Sequence, residues 1–360
     1  MDSKFAKEKL SAKDNAGFRF IKDALRWSNE TPINYAQVGA GLIGMAGCIS
    51  LGFYLDNLVF GLLSTFGVMI TSGTSSDGTI KKQTTQLLST TLVGTVAMVV
   101  GSMIVGHGWI TGVLIVMIST LAALMGGISR PVAIASTQFM LLTMIGTNMG
   151  DAGLHQGILK LPAAFAIGSL IGVIVLLAME SLLWLTTDHK NSFQPTTISN
   201  RQRFLRWRRS LTHFIGWQYA IRVGLCMLAA QVIEIIFHFE RSYWIGLTIA
   251  IVLQRDLSAS QGRIVQRGIG TAAGVVLGTL VLLCALPQWS IVVIVGVLGA
   301  LRPIFKNRSY AIYAMLMTPL MLMMFSAGRT VTASLLEYRL LDTMIGCMLA
   351  YALGCYVWRK

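Results

Sequence analysis

The chain has few charged residues, and most of those it has are basic. Only 12% of its 360 residues are Asp, Glu, Lys or Arg, whereas a soluble domain of this size carries about 25%. Acidic residues are scarcest, with 15 against 29 Lys and Arg, and there are only seven prolines. So small a charged fraction cannot cover a globule in water, which excludes an ordinary soluble protein.

Motifs for metals, disulfides and catalysis are also missing. The five cysteines fall in apolar segments, and none belongs to a CxxC or a Cys/His cluster, so the sequence predicts neither a disulfide framework nor a zinc site. It contains no nucleotide-binding loop and no nucleophile–base pair. We therefore expect no enzyme activity and no cofactor. Residues 1–30 lack the apolar core of a cleavable signal peptide.

Long apolar stretches instead recur from residue 35 onwards, and 54% of the chain is hydrophobic. Segments of this kind can satisfy their backbone in lipid only as helices or closed barrels, and runs of about 20 residues without alternation exclude the barrel. The sequence predicts an all-α membrane protein of about twelve spans. We expect them at 36–54, 57–73, 87–106, 109–127, 130–148, 161–185, 216–237, 242–254, 267–285, 288–301, 309–326 and 336–357. The segments 242–254 and 288–301 are short, so we expect them to be tilted, broken or extended.

The distribution of basic residues predicts how the spans are oriented. With both termini in the cytoplasm, most Lys and Arg fall in cytoplasmic segments, which is the usual bias of membrane proteins. The exceptions are few: Lys160, Arg241, Arg329 and Arg339 on the outer side, and Arg222 within a span. The net charge of +14 therefore indicates contact with a membrane surface rather than with nucleic acid.

Weak internal similarity predicts two repeats of six spans each. Pairs at a constant offset include Tyr35 with Tyr219, Gly94 with Gly278 and, after a small shift, Arg130 with Arg308. Because six is even, both repeats enter from the same side and should be parallel, related by an axis along the membrane normal. We divide the chain into a basic N-terminal segment (1–34), repeat 1 (35–186), a basic linker (187–215) and repeat 2 (216–358). The basic aromatic stretches before each repeat, 18–27 and 203–214, are either interfacial helices or plain flanks that fix topology.

Several motifs in the second repeat resemble the fusaric acid resistance and aromatic acid exporter family. They are Tyr243-Trp244-Ile245-Gly246-Leu247-Thr248, Val252-Leu253-Gln254, Arg267-Gly268-Ile269-Gly270-Thr271 and Arg339-Leu340-Leu341-Asp342-Thr343. The resemblance implies an exporter of aromatic or other weak organic acids in a bacterial inner membrane, driven by protons or another gradient. It also implies kinship with plant malate channels, whose six-helix subunits dimerise. The expected partners are a small organic anion, the lipid bilayer, and a membrane-fusion protein or further copies of the chain.

The sequence departs from the family at several positions. Arg255 stands where the family usually has Pro after 252–254. In the first repeat, Gln83 falls at the position of Arg267, and Leu161 and Ala164 fall at those of Arg339 and Asp342. Any charged binding site should therefore come mostly from the second repeat.

Ionisable residues inside spans are costly, so they are functional candidates by default. For substrate binding we single out Arg222, whose guanidinium could clamp a carboxylate, together with Arg267 and Trp244. The structural alternatives are an ion pair of Arg222 with Glu180, an inner-leaflet anchor for Arg267 and an interfacial belt position for Trp244.

The remaining intramembrane charges are candidates for proton coupling or ion pairing. They are Glu180, Glu234, Arg339 and Asp342. Arg339 and Asp342 are one helical turn apart, and the structural alternative is an intrahelical or capping pair near the outer surface. The leading functional interpretation is a transporter of organic anions; a passive anion channel and a non-transporting membrane scaffold remain open.

Overall fold

The computed structural model describes residues 33–74, 80–153, 159–186, 199–237, 243–284, 287, 289–306, 308–326 and 333–358. Within these ranges the chain forms α-helices and one short 3₁₀ helix, Tyr356–Trp358, and no β-strand. The all-α prediction is therefore confirmed. The N-terminal stretch at 18–27 lies outside the described residues.

The described residues of the first half of the chain form six α-helices. They are α1 (Tyr35–Tyr54), α2 (Leu58–Ser72), α3 (Ile80–Ile104), α4 (Trp109–Met125), α5 (Arg130–Gly153) and α6 (Lys160–Thr186). Asparagine side chains cap the first two: Asn34 Oδ1 accepts from the Gln37 amide at 3.2 Å, and Asn57 Oδ1 from the Phe60 amide at 3.0 Å. Such caps satisfy amides that have no partner within the helix.

Seven further α-helices are formed by the described residues from 199 onwards. They are α7 (Asn200–Ser210), α8 (Phe214–Phe237), α9 (Tyr243–Val252), α10 (Leu257–Leu283), α11 (Ser290–Lys306), α12 (Tyr310–Ser326) and α13 (Ala333–Ala352). A helix is thus present in the basic linker, as α7. The short predicted span at 242–254 is a ten-residue helix, and the one at 288–301 extends to Lys306. Helix α10 begins well before residue 267 because Asp256 caps it, accepting from the Ala259 amide at 3.3 Å.

Among the described residues, six helices are long and apolar enough to cross a membrane. They contain the segments Tyr35–Tyr54, Lys81–Ile104, Lys160–Leu183, Phe214–Phe237, Leu257–Val281 and Leu335–Trp358. Shorter apolar helices, among them α2, α4, α9 and α12, pack between them. The protein is therefore a multi-pass helical membrane protein.

The same kinds of helix contact occur in both halves of the chain. In the first half α2 packs on α6, and α3 packs on both α5 and α6; in the second half α9 packs on α13, and α10 packs on both α12 and α13. Between the halves, α1 contacts α11 and α4 contacts α8. The α1–α11 crossing is close because Gly41 faces the backbone of Gly299, where a Cβ on Gly41 would lie 2.4 Å from the Gly299 carbonyl oxygen.

Candidate functional site

A group of buried polar side chains lies where α9, α10, α12 and α13 pack together. We call it the arginine cluster and define it by Arg267 of α10, Arg339 and Asp342 of α13, Trp244 of α9 and Tyr310 of α12. Glycines allow these helices to approach closely. A Cβ on Gly346 would lie 2.8 Å from Thr248 Cβ, and one on Gly270 would lie 2.4 Å from the Ala311 carbonyl oxygen. Larger residues at these positions would push α13 and α12 away from their neighbours.

Arg339 lies over the face of Trp244. The guanidinium carbon is 3.5 Å from the ring centroid, and the two side chains are 1% and 2% exposed. The ring of Tyr243 stacks on the ring of Trp244, with 4.8 Å between their centroids. A cation held against an aromatic face away from water is stabilised by about 2 kcal/mol. Trp244 is therefore an interior residue, and its interpretation as a residue of the interfacial belt is wrong.

Asp342 lies one turn further along α13 and is also buried, at 2% exposure. Its Oδ2 has no hydrogen-bond partner within the described residues, and neither do Nε and Nη1 of Arg339. Asp342 is near enough to influence Arg339 electrostatically. The two side chains form no ion pair, so the expected intrahelical pair at the outer surface is wrong. Burial of both groups places them inside the bundle instead.

Arg267 completes the cationic part of the cluster from α10. Its side chain is 3% exposed, and its Nε has no hydrogen-bond partner within the described residues. It lies close enough to Arg339 and to Tyr310 for electrostatic interaction with both. A residue that anchors a helix in the inner leaflet would reach lipid headgroups. The anchor interpretation is therefore wrong, because Arg267 faces the neighbouring helices.

The arginine cluster has an excess of positive charge and of unmatched polar atoms. The cluster contains two guanidinium groups and one carboxylate, and the hydroxyls of Thr248 and Thr271 are buried without a hydrogen-bond partner in the part of the chain described. Buried polar groups in proteins are normally paired, and an unpaired one costs about 1–3 kcal/mol. An anion with hydrogen-bond acceptors would satisfy both the charge and the donors.

Arg222 lies outside this cluster and is held by the protein itself. Its Nε donates to the Gly354 carbonyl, its Nη1 to the Arg255 carbonyl at 3.3 Å and its Nη2 to Ser260 Oγ at 3.4 Å. These acceptors tie α8 to three places: the residues after α13, the segment that joins α9 and α10, and the first turn of α10. The guanidinium thus cross-links three segments; its role as a carboxylate clamp stays a prediction.

The two glutamates lie in different surroundings. Glu180 of α6 accepts a hydrogen bond from Gln83 Nε2 of α3, so the predicted Glu180–Arg222 ion pair is wrong. The two residues belong to different halves of the chain, and each has other partners. Glu234 of α8 accepts a hydrogen bond from Gln231 Nε2 at 3.0 Å. It is also close enough to Asp342 to influence that carboxylate electrostatically.

Sequence reasoning missed several polar contacts that join the two halves. Arg302 is buried and its Nη2 donates to Ser72 Oγ at 2.8 Å, while Lys306 Nζ donates to the Gly73 carbonyl at 2.6 Å. Arg255 lies in the segment that joins α9 and α10, and its Nη2 donates to the Ala123 carbonyl of α4 at 2.7 Å. In the sequence, basic residues at helix ends are interpreted as markers of topology. No signal in the sequence distinguished Arg302, Lys306 and Arg255 from exposed basic residues.

Comparison with known proteins gives a family match in the second half of the chain and several relatives that are longer proteins. Residues 212–353 match the family model described as fusaric acid resistance protein-like. The inner membrane protein YccS of Escherichia coli (strain K12) is 32% identical over 157 residues, which cover 42% of this chain and 22% of YccS. An uncharacterized protein of Haemophilus influenzae is 31% identical over 39% of this chain and 20% of its own length.

A further relative is uncharacterized protein ORF2 of Neisseria gonorrhoeae, which is 32% identical over 39% of this chain and 34% of its own length. The matched region thus spans about a fifth to a third of the length of these curated relatives. No solved structure matches the chain significantly. The match over residues 212–353 includes the motifs at Tyr243–Gln254, at Arg267–Thr271 and at Arg339–Thr343, so this region of the chain is similar to the fusaric acid resistance protein-like family.

Proposed function

We propose that the protein transports organic anions across a bacterial inner membrane. The observation that carries this proposal is the arginine cluster, in which Arg267 and Arg339 are buried with unmatched donors beside a single carboxylate. An uncompensated cation inside a bundle is costly unless something pairs with it. An anion that enters the cluster supplies that pairing. The match of residues 212–353 to the fusaric acid resistance protein-like family model and the similarity to an inner membrane protein support the same function and location.

The chemistry of the cluster favours aromatic and other weak organic acids as the transported anions. A guanidinium offers several donors in one plane, which suits a carboxylate. Trp244 and Tyr243 are aromatic, and their rings suit a ligand with an aromatic body. Since the first repeat has Gln83, Leu161 and Ala164 at the corresponding positions, one such site per chain is proposed.

Proton coupling is proposed through the carboxylates near the cluster. Asp342 is buried beside Arg339, and Glu234 lies within electrostatic reach of Asp342. A proton on Asp342 removes its negative charge, which leaves the two arginines more attractive to an anion. Entry of the anion and protonation of Asp342 would then favour each other. Glu180 and Arg222 lie away from the cluster, and we propose structural roles for both.

We further propose that the helices form two parallel six-helix repeats, α1–α6 and α8–α13, with both termini in the cytoplasm. The long spans are the first, third and sixth of each set, and the same pairs of helices contact each other in the two sets. Contacts between the sets are also reciprocal, because the first helix of each packs on the fourth of the other. A membrane-fusion protein or further copies of the chain would be partners of this unit, which we propose has no enzymatic activity.

The test is anion flux in proteoliposomes that contain the purified protein, with and without a pH gradient. Benzoate serves as the aromatic probe and acetate as the small one. Arg267→Gln and Arg339→Gln should each lower benzoate flux at least about tenfold, since each removes a charge-assisted contact with the anion. Arg209→Gln is the matched control, because Arg209 is exposed and lies on α7, which contributes no residue to the cluster.

Three outcomes distinguish the alternatives. Flux that rises with an inward-directed proton gradient supports the coupled transporter. A large conductance without dependence on pH indicates a passive anion channel instead. Undetectable flux of both probes, in vesicles where the protein is folded and correctly inserted, would favour a scaffold and contradict the proposal.

A further inference from the structure

A second basic feature lies on the side of the bundle that carries α7, well away from the arginine cluster. It is an open groove of about 910 Å³ between the start of α3, the start of α5 and helix α7. Three cations line it, Lys81 and Lys82 from α3 and Arg203 from α7, together with hydroxyl and amide groups of α3. None of the described lining residues is acidic. The groove therefore attracts an anion.

Helix α7 is fixed in position over this groove. Trp207 Nε1 donates to the Leu124 carbonyl at the end of α4 at 3.1 Å. The Trp207 ring also packs on Gly127, where a Cβ would lie 2.8 Å from Trp207 Cδ1. Phe204, one turn earlier, lies 5.4 Å from the Trp207 ring and lines the groove. Arg203 is thus held beside the two lysines by a docked helix rather than by a loose linker.

The surroundings of the groove indicate an amphipathic ligand. Phe204, Ile128 and Val132 give it an apolar wall. Along α3, Lys81 and Thr85 share one face with Leu88 and Leu92, because these positions are three or four residues apart. Leu88 is 46% exposed and Leu92 is 66% exposed. A cationic groove at the end of the helix therefore continues into an exposed apolar stripe that faces lipid.

We propose that this groove binds the phosphate headgroup of an anionic phospholipid, whose acyl chains lie along Leu88 and Leu92 of α3. Lys81, Lys82 and Arg203 pair with the phosphate, as basic residues at a membrane surface do with anionic lipids. A free phosphate ion would use the same cations but would leave the apolar stripe without a role. The lipid would hold α7 against the ends of α3 and α5, which makes the site a structural lipid site.

The test is the binding of phosphatidylglycerol to the full-length purified protein, measured by native mass spectrometry against phosphatidylcholine. The groove variant carries Lys81→Gln, Lys82→Gln and Arg203→Gln. The matched control carries Arg206→Gln, Arg208→Gln and Arg209→Gln, which removes the same charge from exposed positions of α7 that do not line the groove. Each basic residue near an anionic surface contributes about a fivefold change in affinity. We expect the groove variant to bind phosphatidylglycerol at least about tenfold more weakly, and the control to change less than about threefold.

Every other outcome overturns the proposal. Equal losses in both variants would mean diffuse attraction to a basic surface, and unchanged binding in both would mean that the groove holds no lipid. Displacement of phosphatidylglycerol by millimolar inorganic phosphate would identify the free ion as the ligand. Wild-type protein that shows no preference for phosphatidylglycerol over phosphatidylcholine would also contradict it, and this measurement needs no variant to fold.

Discussion

The guanidinium carbon of Arg339 lies over the ring of Trp244, 3.5 Å from its centroid, with both side chains buried. The two residues are on different helices, α13 and α9, so their contact fixes how these helices meet. Nε and Nη1 of Arg339 have no hydrogen-bond partner among the described residues. The aromatic face thus stabilises the charge partly, and the remaining donors stay available for an anion.

Replacement of Trp244 by Leu should lower the free energy of unfolding by about 3 kcal/mol, because it removes a buried ring and its interaction with Arg339. Trp244→Phe should cost less than half as much, because it keeps an aromatic face. Thermal unfolding in detergent measures both. Trp289→Leu is the control, since Trp289 is 66% exposed, and a loss of similar size there would contradict the role of the contact.

Loss of Arg222 should destabilise the protein rather than only weaken anion affinity. Arg222→Gln leaves the carbonyls of Gly354 and Arg255 without their donors, and such groups cost about 1–3 kcal/mol each when buried. We expect a loss of about 2–4 kcal/mol in unfolding free energy, against little change for the exposed Arg209→Gln.

The double variant Arg222→Gln with Glu180→Gln separates two explanations of that loss. Glu180 is bonded to Gln83 and not to Arg222, so removal of its charge should not restore stability. Full recovery of the melting temperature in the double variant would show that the two residues are coupled after all.

The α1–α11 crossing should be sensitive to a single methyl group. A Cβ at Gly41 would lie 2.4 Å from the Gly299 carbonyl oxygen, whereas one at Gly47 of the same helix has nothing within 4 Å. Gly41→Ala should therefore lower the unfolding free energy by about 1–3 kcal/mol through overpacking. Gly47→Ala should leave it unchanged or raise it by up to about 1 kcal/mol, since alanine favours helix. Equal melting temperatures for the two variants would mean that the crossing is not close.

Labelling with a membrane-impermeant thiol reagent should test the orientation. In a background without the five native cysteines, cysteines placed at Leu55 and His107 should react from outside the cell. Those placed at Ser129 and Thr212 should react only after the membrane is opened. Reaction of position 212 from outside would mean that an odd number of spans precedes it. That result would contradict the parallel arrangement of the repeats.

The sequence by itself determined the fold class and the approximate place of each helix. Scarcity of charge and apolar runs of membrane length leave a helical bundle as the solution, because lipid offers the backbone no hydrogen bonds. The predicted span at 130–148 corresponds to Arg130–Gly153, and that at 161–185 to Lys160–Thr186. Intramembrane charges likewise pointed to Arg339 and Asp342, since burial of charge is costly wherever it occurs.

Only the tertiary structure decided which of these residues meet. Arg267, Trp244 and Arg339 lie far apart in the chain, and their contact depends on how α9, α10 and α13 are rotated and how closely their glycines let them approach. The sequence placed Arg222 beside Glu180 because both lie at similar depth, but depth does not specify which face of a helix is turned towards which neighbour. Helix rotation and crossing arise from packing across the whole bundle. For that reason the sequence could name Arg267, Arg339, Asp342 and Trp244 as candidates, but it could neither find Tyr310 nor show that these residues form one cluster.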